Sequence, residues 1–239
     1  MNIVRTISPN DAMLHEADSA HYFAVGASAT EQIDAALHAA GNPDISRVLD
    51  FPCGHGRVAR WLRARFPKAH LTVSDLDEDG VRFCAATFDA TAVPSSTDFD
   101  TLEFGSRFDL IFVGSLLTHV SRDDAIRLLR FLLRCLSEAG VAVVSSHGAL
   151  VVGRSQIATL EKRGAYGLSY ESNTRALEDY FKEGVGYAGY PAQPEYGISY
   201  IRRAWLEQKL PSLGAELVLY RDHAWDDHHD VAAFRRAAP

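Results

Sequence analysis

The chain has 239 residues, 47% hydrophobic and 23% charged, a globular balance that excludes disordered and fibrous classes. Its 24 basic against 31 acidic residues leave a net charge of −7, which opposes coating a polyanion, so no nucleic-acid partner is expected. No apolar run reaches the roughly 18 residues of a membrane helix, and Cys53, Cys84 and Cys135 fit no disulfide or zinc pattern, so the expectation is a cytoplasmic chain off the membrane.

Short β-branched runs alternate with helical patterns. The spacing predicts a helix over 28–40, opened by the capping box of Ser28 and Glu31 and stopped by Gly41-Asn42-Pro43. A strand over 47–51 leads through Gly54-His55-Gly56 into a helix over 57–66. A second strand (70–74), a second helix (77–88) and a weak third strand (91–95) follow. The fourth strand, 108–114, is apolar at nearly every position, as a strand covered on both faces should be. Ser121 and Asp124 cap a helix carrying Ile126, Leu129, Leu133 and Leu136, and Ala139-Gly140 turns into a fifth strand over 141–146. Seven of the nine tyrosines lie in 148–200. A helix over 204–213 and two strands near 216–220 and 230–234, paired as a hairpin, complete the chain. The expected fold class is α/β: a Rossmann-like, mostly parallel seven-stranded sheet with helices on both faces and a C-terminal antiparallel strand pair.

The strongest signal is Asp50-Phe51-Pro52-Cys53-Gly54-His55-Gly56, a glycine turn between a strand and a helix. Asp75 ends the second strand about 20 residues on, where a carboxylate accepts both hydrogens of a ribose diol. Gly54-His55-Gly56-Arg57-Val58-Ala59 also satisfies a dinucleotide pattern, which keeps an NAD(P)-dependent oxidoreductase as an alternative. Against it, Asp50 at the mouth of the turn repels a pyrophosphate and suits an ammonium or sulfonium cation. His55 crowds the space a phosphate needs.

These stretches resemble a class I S-adenosylmethionine-dependent methyltransferase. Asp50–Gly56 resembles that family's first motif and Val73-Ser74-Asp75-Leu76 its ribose-binding strand. The run from Phe108 to His119 resembles the fourth-strand motif, and Leu136-Ser137-Glu138-Ala139-Gly140-Val141 the turn into the fifth strand. The likeness covers about 44–148. Pro52 departs from it, standing where the family more often has a glycine.

By position, the resemblance implies that Gly54 and Gly56 line the methionine half of the cofactor, with Asp50 near its ammonium and Phe51 among the cofactor-binding residues. Asp75 takes the ribose hydroxyls and Leu76 flanks the adenine. Ser96 or Asp98 faces the adenine edge, Gly114 and Ser115 offer backbone groups to the amino-acid end, and Tyr22 and Gly26 close over the cofactor. The implied cofactor is S-adenosylmethionine, leaving as S-adenosylhomocysteine. One domain is expected: an N-terminal helical segment (1–43), a cofactor-binding core (44–148), a tyrosine-rich lid or substrate insertion (149–203), and the final helix and hairpin (204–239).

The cofactor's sulfonium already activates the methyl group, so the protein's task is to position the acceptor. A hydroxyl or amine acceptor also needs a base, and His119 and His147, each after a strand end, are the candidates. His223, His228 and His229 with Asp226, Asp227 and Asp230 suggest a metal, but adjacent histidines in a strand point to opposite faces, so no metal is expected. Gly184, Gly186 and Gly189 would let the tyrosine-rich segment move as a lid over a small, partly apolar acceptor. The expected activity is methyl transfer to oxygen or nitrogen of a small molecule. Oligomeric state is left open, and a non-catalytic S-adenosylmethionine-binding module is the second alternative.

Overall fold

The computed structural model describes residues 1–14 and 18–237; the parts of the terminal segments expected above that fall on 15–17 and 238–239 lie outside them. In chain order the elements are α1 (Ser19–Ala39), β1 (Arg47–Asp50), α2 (Ala59–Arg65), β2 (His70–Val73), α3 (Glu78–Phe88), β3 (Thr91–Ala92), β4 (Phe108–Val113), α4 (Arg122–Cys135) and β5 (Leu136–His147). Then come α5 (Ala149–Leu160), α6 (Tyr170–Glu183), β6 (Val185–Tyr190), β7 (Gln193–Ile201), α7 (Arg203–Ser212), β8 (Ala215–Trp225) and β9 (His229–Arg236).

Seven strands form one sheet in the order β3-β2-β1-β4-β5-β9-β8, parallel at β3/β2, β2/β1 and β1/β4, and antiparallel at β9/β8. The mostly parallel sheet and its closing antiparallel pair are as the sequence predicts. A second sheet, the antiparallel pair β6/β7, arises inside the tyrosine-rich segment. Strand order reverses between β1 and β4, the switch point at which α/β sheets open a ligand crevice beyond their strand ends.

Element boundaries differ from expectation where a single residue changes the local physics. Helix α1 begins nine residues early because Asp18 accepts from His21 N at 3.0 Å and caps it, leaving Ser28 inside the helix. Strand β3 stops at Ala92, two residues before Pro94, which has no N–H to give a ladder. Strand β5 starts at Leu136, directly after α4, so Ala139-Gly140 is strand instead of turn. A Cβ on Gly140 would lie 2.5 Å from the Phe108 carbonyl, so glycine there permits strand approach.

The chain divides into two compact units, Met1–Gly114 with Phe131–Val143, and Ser115–Arg130 with Val144–Pro239. The first is built on buried Val48, Leu49, Leu71, Leu110 and Ile111, together with Phe51, Phe99, Phe104 and Phe131. Those four rings meet at centroid distances of 5.4 to 6.5 Å. The second has a core of Val151, Val152, Leu168, Ala176, Leu177, Tyr180, Ile198 and Tyr200. Within it the Tyr200 hydroxyl donates to Asn173 Oδ1 at 2.7 Å and lies 2.7 Å from Ser155 Oγ; Asn173 Nδ2 donates to Thr159 Oγ1 at 3.0 Å. Two of the expected hinge glycines have packing duties here. Gly184 ends α6 in the left-handed region, and a Cβ on Gly186 would lie 1.8 Å from the Ala176 carbonyl. Among the described residues no helix is long and apolar enough to cross a membrane. Cys53, Cys84 and Cys135 are buried and unbridged.

Candidate functional site

Strand β1 delivers Asp50 to the switch point. Asp50 is 1% exposed, one carboxylate oxygen (Oδ2) has no hydrogen-bond partner, and Ala59 supplies a backbone hydrogen bond. Burial, and then the charge of Asp75 nearby, hold its carboxyl well above the usual range. Two carboxyls drawn together at neighbouring strand ends are costly unless a cation comes to them.

Asp75 reaches back from the end of β2 to the glycine turn. Its Oδ2 accepts from Gly54 N at 2.7 Å and its Oδ1 from Asp77 N at 3.0 Å, fixing the carboxylate beside the turn. Leu76 next to it is 62% exposed, an apolar side chain left bare as an adenine flank would be. Gly54 has φ +49° with open space where a Cβ would sit. A Cβ on Gly56, at φ +84°, would lie 2.3 Å from the Phe88 ring. Gly54 thus leaves room for a ligand, and Gly56 seats the turn on α3. Cys53, 6% exposed, packs in the turn, and its thiol donates to the Gly54 carbonyl at 3.4 Å.

Other predicted residues stand differently. The Phe51 side chain is spent in the aromatic core at 2% exposure, and its N–H donates to the Phe112 carbonyl at 3.0 Å. Tyr22 is 1% exposed; its hydroxyl donates to Asp11 Oδ2 at 2.7 Å and accepts from Arg60 Nη2 at 3.1 Å. It is an anchor within a buried network. Gly26 carries the close approach of α1 to α2, since a Cβ would lie 2.4 Å from both the Arg57 carbonyl and Trp61. Ser96 and Asp98 share one turn: Asp98 N donates to Ser96 Oγ at 3.0 Å, and the Asp98 carboxylate accepts from Asp100 N and Thr101 Oγ1. Gly114 follows the end of β4. The backbone of Ser115 is engaged, its N–H on Ser145 Oγ at 2.8 Å and its carbonyl by Thr118 Oγ1 at 2.7 Å.

Sequence reasoning missed three residues here. Arg60, 1% exposed, donates to the Gly56, Val4 and Thr6 carbonyls and so ties the N-terminal strap to the turn; nothing in its spacing separates it from the other arginines of α2. Asp77 caps α3 and accepts from His55 Nε2 at 2.9 Å, which pins the ring that the sequence reading set against a phosphate. Gly80 opens α3 against the turn.

In the second unit, His119 Nδ1 donates to the Gly197 carbonyl at 2.7 Å, leaving Nε2 as the nitrogen with a lone pair. Its ring stacks on Tyr196 at 4.5 Å and 20°, and Tyr190 lies 5.9 Å beyond. Burial lowers the His119 pKa below 6.5. His147 closes β5 at 5% exposure, stacked 5.9 Å from Tyr166, and burial, with the like charges of His119 and His228, pushes it down to about 3. At neutral pH it is an uncharged imidazole with little appetite for a proton. Strand β9 begins at His229, with His228 in the preceding turn, so alternation along a strand does not part them: their rings are 4.0 Å apart, and His229 lies 5.1 Å from His147.

Residues 48–140 match the family model described as a methyltransferase domain. No curated protein sequence matches the chain. Among solved structures, an S-adenosylmethionine-dependent methyltransferase from Clostridium acetobutylicum is similar at TM-score 0.60 and 11% identity, over 96% of each chain. The CcbJ methyltransferase from Streptomyces caelestis is similar at TM-score 0.56 and 20% identity, over 87% of this chain and 90% of that one. LepI, solved in complex with S-adenosylmethionine, is similar at TM-score 0.52 and 13% identity over 82% of this chain, which spans only 44% of LepI. Sheet order, switch point and glycine turn define the class I methyltransferase fold. The match over residues 48–140 and the shared fold are consistent with the class I S-adenosylmethionine-dependent methyltransferase family.

Proposed function

We propose that the chain binds S-adenosylmethionine at the Asp50–Gly56 turn and transfers its methyl group to a small-molecule acceptor. The observation that carries this reading is the pair of carboxyls there. Asp50 has a buried oxygen without a partner, and Asp75 is fixed beside the turn. The first suits the ammonium of an amino acid and the second a ribose diol, whereas both oppose the pyrophosphate of NAD(P). Gly54 supplies the open approach, Leu76 the adenine flank, and Gly114 the fourth-strand rim. When bound, the cofactor supplies a methyl group already activated on sulfur.

The protein's part is then to orient the acceptor and take its proton. Tyr166, Tyr190 and Tyr196 of the second unit offer aromatic walls with hydroxyl tips, suited to a compact, partly apolar acceptor. His119 Nε2 is the proton acceptor, since the Gly197 carbonyl holds the proton on Nδ1. The net charge of −7 argues against a nucleic-acid acceptor, and three buried, unbridged cysteines favour a reducing compartment.

The test is calorimetric titration of nucleoside-free protein with S-adenosylmethionine, S-adenosylhomocysteine and NADH. Micromolar binding of the first two with none of the third is expected. Binding of NADH alone would make the turn a dinucleotide site, and silence from all three would overturn the cofactor reading. Binding without turnover over a broad screen of acceptors would mark a non-catalytic module.

A further inference from the structure

We propose that His147, His228 and His229 form a three-histidine site for a divalent transition-metal ion of the zinc class. One ring nitrogen from each lies within 4.8 Å of the other two. The three come from separate places in the second unit: the end of β5, the turn after β8 and the start of β9. Sequence adjacency accounts for His228 beside His229. Only the pairing of β5 with β9 in the sheet brings His147 to them.

Two further observations point to a ligand. His147 Nδ1 is buried without a hydrogen-bond partner, a costly state for an imidazole nitrogen that an ion would relieve. His228 Nδ1 donates to the Asp226 carbonyl, which fixes the ring and leaves its Nε2 lone pair to coordinate. A backbone carbonyl on the far nitrogen is the usual way a ligating histidine is oriented.

The donor set selects the ion. Three imidazoles with no carboxylate among them do not suit magnesium or calcium, which take oxygen, and suit zinc and its neighbours. Tetrahedral Zn–N bonds of about 2.0–2.1 Å place nitrogens about 3.4 Å apart, so modest ring rotations would close the present arrangement. Three protein ligands leave a fourth position for water or a substrate oxygen, the pattern of reactive rather than structural zinc sites.

The experiment uses untagged full-length protein, stripped with chelator and then titrated with zinc and cobalt ions in the absence of cofactor and acceptor. One ion per chain is expected, with cobalt giving the intense visible bands of a four-coordinate site. His228→Ala, at the most exposed of the three ligands, should weaken binding by at least about 100-fold, more than the loss of an orienting group costs. His223→Ala, in the same hairpin but outside the cluster, should leave it unchanged. Absence of stoichiometric binding, or binding that survives His228→Ala, would overturn the site. Titrating the same stripped protein with S-adenosylmethionine reads the cofactor assignment separately, so either can fail alone.

Discussion

Asp50 and Asp75 answer different questions about the same ligand. Asp75→Ala removes a charged acceptor, and the expected loss is about 1.5–3 kcal/mol of S-adenosylmethionine binding, roughly 10- to 150-fold, read by calorimetry. Asp50 is raised when folded, so it favours the folded state below the ordinary carboxylate range, and that contribution is lost as pH rises through its folded value. An ammonium placed against it reverses the preference and expels the proton. Titration in buffers of different ionisation enthalpy should show up to one proton released per cofactor, and none in Asp50→Asn. A buffer-independent heat for the unaltered protein would contradict this. For His119→Ala, turnover should fall by about 10²- to 10⁴-fold with cofactor affinity intact. Its lowered pKa places the acid limb of the unaltered enzyme's rate below pH 6.5.

At the scale of elements, the glycine turn works because α3 is seated tightly against it. A Cβ on Gly80 would lie 2.4 Å from the Gly54 carbonyl, so Gly80→Ala must push helix and turn apart. The expected cost is about 1–3 kcal/mol in denaturant unfolding, with weakened cofactor binding as the second readout. Gly80 was not legible beforehand, since a glycine in the first turn of a helix reads as a mild propensity defect until its neighbour is known. The turn itself was legible because strand, glycines and the acid at Asp75 depend on local spacing alone. Contacts that depend on distant partners were not: Tyr22 was read as a cofactor cover, and the hydrogen bonds of its hydroxyl to Asp11 and Arg60 were not foreseen. The rings of His228 and His229 were assigned opposite faces because the start of β9 depends on where its hairpin partner bends.

For the molecule as a whole, the second unit rests on a buried polar network as well as an apolar core. Tyr200→Phe deletes the hydroxyl that both Ser155 and Asn173 meet, leaving buried polar groups unsatisfied at about 1–3 kcal/mol. Its melting temperature should fall while S-adenosylmethionine affinity stays at the unaltered value, because every predicted cofactor contact but Ser115 lies in the first unit. A parallel loss of affinity would show that the two units unfold as one. Their interleaving along the chain also has a temporal consequence. The loop bearing His119 takes its hydrogen bonds from Gly197, which lies 78 residues downstream. At about 5–20 residues per second of synthesis, the ribosome holds that loop without its partner for roughly 4–16 s. For that interval the carbonyls of Thr118 and Val120 beside it also lack Ser199, whose N–H and hydroxyl bond them in the finished fold.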